Sequence, residues 1–136
     1  RALPRMARLR AGRVASLILR LVHGETPDPA LFDTFKAFLS ALAEFPESLH
    51  DAAECLAALR VLSALGLDAG ELPDDGLFTK ESLALVSENR SAYISRVNRG
   101  IAASERSRSN ARIIVAESMA LCAGVPPDAH LLTFKW

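Results

Sequence analysis

Guanidinium groups are the side chains best placed to do chemistry in this chain. Of its 16 cationic residues, 13 are arginine, the side chain that pairs bidentately with phosphate or carboxylate. Arg90, Arg96, Arg99, Arg106, Arg108 and Arg112 lie within 23 residues and are opposed only by Glu105, a local charge of +5. Arg96 and Arg99, three apart, share a helical face. A second strip holds Arg5, Arg8, Arg13 and Arg20, within residues 1–20 that carry +6 and no acid. Strips of this kind suit a polyanion, because each guanidinium that meets a phosphate releases condensed counterions, so binding weakens as salt rises. The competing reading is intramolecular. Residues 21–85 carry −9 and residues 86–136 carry +3, so basic helices packed beside acidic ones would neutralise each other. Both readings stay open on the sequence.

Other chemistry has little to rest on. His50 and Glu54 fall four apart with Cys55 adjacent, a pair without a third metal ligand; a surface histidine beside a helix start is the simpler reading. The chain has no phosphate-binding loop, no Gly-x-Gly-x-x-Gly and no Gly-x-Ser-x-Gly, and no serine has an evident histidine partner with an orienting acid. The expectation is a protein without catalysis, metal or cofactor. Cys55 and Cys122 make neither a disulfide framework nor a metal cage, which fits a reducing compartment. Cys55 reads as a buried, inert thiol.

These groups must be positioned by helices. The 136 residues are 50% hydrophobic and 24% charged, enough to bury a core and too apolar for a disordered chain. No apolar run reaches the 18 residues or more of a membrane span. Arg1 rather than Met at the first position points to a piece of a longer or processed protein. An Arg-rich start also suits a targeting peptide, but the helical period running on into a turn argues for a structural helix.

Leu3, Met6, Leu9, Val14, Leu17 and Leu21 recur at three and four in that first helix, which should stop at His23-Gly24. Asp28 and Pro29 form a helix start, and the second helix should run from Pro29 to Glu44. Its apolar stripe includes Phe32, Phe35 and Phe38. A third, Ala-rich and central helix spans about Leu49 to Leu65 and ends at Gly66. A loop over 66–78 follows, then a fourth helix capped by Thr79. A break near Ser87–Ser91 precedes a fifth helix through Ile101. The polar run 104–110 reads as a linker before a last amphipathic stretch to Cys122. Strand alternation is poor and hairpin signals are missing. The expected fold is all-α, a compact helical bundle of about five to six helices, with residues 1–106 as the main domain and 107–136 as an added helix or tail.

The order of these segments carries a resemblance. "LVHGETPDPALFDTFKAFLSAL" (21–42) is followed by "ECLAALRVLSALGLDAGELP" (54–73) and "FTKESLALVSENRSAYISRVNRGIAASER" (78–106). Together they resemble the helical C-terminal domain of the bacterial recombination protein O (RecO) family over roughly residues 3–106. The motifs are a Gly-Glu-x-Pro-x-x-x-Leu-Phe turn, a Leu-x-x-Leu-Gly-Leu helix end, and a helical pair ending near Ala-Ala-Ser-Glu. Residues 66–80 lack the Cys-x-x-Cys pairs of many members, so no zinc site carries over. The resemblance covers none of the family's N-terminal OB-fold barrel, and residues 107–136 have no counterpart in it.

The resemblance implies a cytoplasmic, nucleoid-associated bacterial mediator of DNA repair and homologous recombination. It would bind single-stranded and possibly double-stranded DNA, the tail of single-stranded-DNA-binding protein, and RecR, with no membrane partner. The phosphate contacts would come from Arg90, Arg96, Arg99, Arg106 and Arg108, with the Arg5, Arg8, Arg13 and Arg20 strip as the second surface. The alternative is a helical protein-interaction module with no direct nucleic-acid binding.

Overall fold

Helix starts and stops follow local chemistry closely. A computed structural model describes residues 3–22 and 28–123, with side chains as far as Arg106. Helix α1 spans Arg5–Leu21 and α2 spans Pro29–Glu44. Asp28 caps α2, its side chain accepting from the Ala30 backbone N–H at 2.9 Å, and Pro29 takes the first turn, where its missing N–H costs nothing. Phe45 and Pro46 turn the chain extended, and one short turn leads into α3, His50–Ala64. Gly66 then adopts a left-handed backbone (φ +74°). That lets the Leu67 N–H reach back to the Leu62 carbonyl at 2.8 Å, the six-to-one bond that closes a helix C-terminus.

Helix α4, Lys80–Glu88, starts on a reciprocal cap. The Thr79 hydroxyl accepts from the Ser82 N–H, and the Ser82 hydroxyl accepts from the Thr79 N–H, both at 3.0 Å. The Ser82 hydroxyl donates in turn to the Leu77 carbonyl at 2.6 Å. Helix α5 spans Arg90–Ala123. It runs straight through 104–110, where the polarity suggested a linker. Ser, Glu, Arg and Asn contain no breaker, and neither Gly nor Pro interrupts the segment. The fold is thus all-α, with five α-helices and no strand among the described residues. The expected stop at His23-Gly24 lies outside them. The chain divides into two units, Arg1–Val97 and Asn98–Trp136.

In the first unit α3 is the central element, packed against α1, α2 and α4. Ala52, Ala53, Ala57 and Ala58 are buried alongside Leu56, Leu59 and Leu62. Alanine on several faces lets neighbouring helices approach closely. Each leucine taken fully out of water contributes roughly 1.5–3 kcal/mol. Val14 and Leu17 of α1, Leu31 and Phe38 of α2, and Leu83 and Val86 of α4 close around it. The phenylalanine stripe of α2 is narrower than its spacing suggested. Only Phe38 is fully buried, Phe35 is half-buried, and Phe32 is exposed beneath the Lys36 ammonium. Residues three apart step about 300° around a helix, so three in a row fan away from a single core-facing line.

Candidate functional site

Arginines take three distinct settings. The first is the α1–α3 junction, where Glu54 stands in the middle of an Ala/Leu run on α3 and its side chain is only 1% exposed. Such a carboxylate needs cationic partners. Helix α1 supplies two from positions three apart. The Arg10 Nη1 donates to Glu54 Oε1 at 2.8 Å, Arg13 Nη2 donates to the same oxygen at 2.7 Å, and Arg13 Nε donates to Oε2 at 2.8 Å. Hydrogen bonding to Glu54 holds the Arg13 guanidinium above its ordinary pKa. Arg10 also meets Asp51 at 2.7 Å, and Arg90, largely exposed, approaches the same carboxylate at 3.6 Å. Asp51 is half exposed, so those outer contacts are weak.

The second setting is the loop after α3. Arg96 reaches across to Asp68 with Nη2 to Oδ2 at 2.6 Å and Nε to Oδ1 at 3.3 Å, and its Nη1 donates to the Glu71 carbonyl at 3.1 Å. Its guanidinium also lies 5.5 Å from the Tyr93 ring centroid, within cation–π range. The side-chain bond to Asp68 raises the Arg96 pKa against the opposing effect of burial. Gly70 lets the guanidinium come this close, since a Cβ there would sit 2.5 Å from Arg96 Nη2.

The third setting is open surface. Arg5 and Arg8 are exposed on α1, Arg8 donating to the Leu3 carbonyl at 3.3 Å. Arg99 and Arg106 are exposed on α5, seven residues and hence nearly two turns apart on one face. Arg20, half-buried at the end of α1, does not belong to that open surface. Arg108 and Arg112 belong to α5, and their side chains lie outside the described residues.

The expected strips therefore separate. In the α5 strip Arg96 is held by a carboxylate, whereas Arg99 and Arg106 face outward. In the α1 strip Arg13 is turned in while Arg5 and Arg8 point out. Arg10, absent from the expected strip, is the more enclosed partner of Glu54. The signal for it was present: one acid inside an apolar helix, and a neighbouring helix with arginines and no acid of its own.

The His50–Glu54 metal reading meets a different arrangement. Both Glu54 oxygens are taken by arginine. His50 is buried rather than superficial, its Nε2–H donating to the Phe45 carbonyl at 2.9 Å. Among the described residues no group of three potential ligands converges. Cys55 is buried, and desolvation pushes its thiol up to about 12, where almost no nucleophilic thiolate exists at neutral pH. No helix among the described residues is long and apolar enough to cross a membrane. Compared with protein-family models, curated proteins and solved structures, the chain matches none.

Proposed function

We propose that this chain is the helical body of a RecO-like recombination mediator, which holds DNA by charge and carries out no catalysis. The observation that carries this reading is the outward pair Arg99 and Arg106 on one face of α5. These guanidiniums are set at a spacing that a flexible phosphate backbone can follow. The Gly66 helix end supports it too, since the Leu-Gly-Leu element of the resemblance is a formed structural stop. Phosphates displace counterions at Arg99 and Arg106, with Arg5 and Arg8 as a second contact region. Contacts of this kind read charge and not bases, so the affinity is sequence-independent and strongly salt-dependent.

The test is electrophoretic retardation of single-stranded DNA by the chain. Retardation is expected at low salt, fading steeply towards physiological salt. R99E/R106E should flatten the dependence of log affinity on log salt by about 1.4, roughly 0.7 for each lost phosphate contact. Unchanged oligonucleotide mobility at low salt overturns the reading.

One observation favours the alternative, a helical protein-interaction module. Arg10, Arg13 and Arg96 are already engaged by carboxylates, which leaves fewer cations for a polyanion. Capture of RecR, or of the single-stranded-DNA-binding protein's tail, without any DNA shift would decide for it.

A further inference from the structure

Two exposed helix faces of the first unit carry the same spacing and opposite charge. On α1, Arg5, Arg8, Leu9, Gly12, Ser16 and Leu19 recur at three and four and form one outward stripe. Leu9 is 48% exposed and Leu19 80% exposed, and a Cβ at Gly12 would meet nothing within 4 Å. On α4, Glu81, Ala84, Leu85 and Glu88 follow the same rhythm, with Leu85 43% exposed. Leu77, 55% exposed, precedes that helix in a turn bearing the exposed Asp74 and Asp75. None of these four acids makes an ion pair with a described residue.

We propose that the α1 face of one copy docks on the α4 face of a second copy, a head-to-tail contact between identical chains. Charge selects the pairing. The outward α1 face carries Arg5 and Arg8 and no acid, so two α1 faces repel each other, and two α4 faces repel in the same way. Opposite faces attract and bring leucines together. With the helices parallel and Leu85 seated over the open Gly12, Glu81 comes level with Arg8. Residues equal in offset rise together at about 1.5 Å each within the two helices, and the acidic turn before α4 then lies towards the Arg5 end of α1. A contact of this kind uses different patches on its two partners, so it leaves one free face at each end and propagates. It shares Arg5 and Arg8 with the nucleic-acid reading but does not rest on Arg99 and Arg106, which carry that reading.

Sedimentation velocity without DNA tests it. The wild-type chain should show a sedimentation coefficient that rises with protein concentration and falls back at high salt. R5E/R8E and E81K/E88K should each raise the dissociation constant about tenfold or more and sediment as monomers. Mixing the two variants should restore association, because one retains an intact α4 face, the other an intact α1 face, and the two reversed faces are again opposite in charge. Far-ultraviolet circular dichroism checks that each variant keeps its helicity, and the neutral pair R5Q/R8Q replaces any variant that does not, with a partial loss expected. The proposal falls if the wild type stays monomeric at every concentration, if either charge reversal leaves association intact, or if the mixture fails to recover it. It also falls if R5E/R8E weakens DNA retention without altering sedimentation, which makes the α1 face a polyanion surface instead.

Discussion

The two arginine–carboxylate contacts of the first unit look alike on paper and differ in kind. Glu54 sits within helix α3, its side chain 1% exposed, and needs two guanidiniums from another helix. Asp68 sits on a loop, its side chain 10% exposed, and among the described residues is served by one guanidinium, that of Arg96. Burial explains the difference. In the dry junction the desolvation of a carboxylate must be offset by several charge-assisted bonds. At the loop, water remains near enough to help, and one bidentate pair suffices. The first contact therefore matters mainly when it is broken, because a single loss strands a buried charge. The second acts as a tether that orders the loop.

Breaking the junction should give the largest effect. Glu54→Ala leaves Arg10 and Arg13 without their shared partner and should lower unfolding free energy by about 3 kcal/mol, read by urea denaturation. Replacing the whole cluster by apolar residues, R10M/R13L/E54L, should come close to wild type, since both the charges and their desolvation are then gone. A triple variant as unstable as Glu54→Ala would mean the junction is wetter than its geometry indicates.

Cys55 probes the dryness of the same helix wall. Its thiol ionises near 8.5 in an unfolded chain and only at about 12 when folded. The stability associated with the neutral thiol is therefore full below about pH 8.5 and lost as pH rises towards 12, at up to about 1.4 kcal/mol per pH unit. Cys55→Ala should remove that alkaline slope in denaturation series. In a Cys122→Ser background, Cys55 should resist thiol reagents at neutral pH until the protein is unfolded. Fast labelling of the folded chain would contradict a dry α3.

The loop tether should respond least. Gly70→Ala pushes a methyl group into the Arg96 guanidinium, whose flexible end can retreat, so the expected loss is about 1 kcal/mol. In an Arg96→Ala background the same change should be neutral or slightly stabilising, because only the unfolded-chain entropy term remains. Equal costs in both backgrounds would detach Gly70 from the Arg96–Asp68 pair.

Much of the helical layout could be read along the chain. Asp28-Pro29, Gly66 and Thr79 each set a helix boundary through bonds spanning at most five residues, so their chemistry acts wherever the chain goes. The central place of α3 was legible in its alanines, and the inert character of Cys55 in its apolar flanks. The polar run 104–110 misled, since polarity by itself does not break a helix. The Phe32–Phe35–Phe38 series misled because aromatic content counted for more than angular position.

Local residues thus decided that the chain is helical, where most helices begin and end, and which one would be buried on several faces. They did not decide which arginines stay outward. Arg10 and Arg13 find Glu54 across 44 and 41 positions, and Arg96 finds Asp68 across 28. Those partnerships depend on how each helix is rotated and placed against its neighbours. Period and composition show that a helix has a charged face; only packing determines whether another helix's carboxylate waits opposite it or water does.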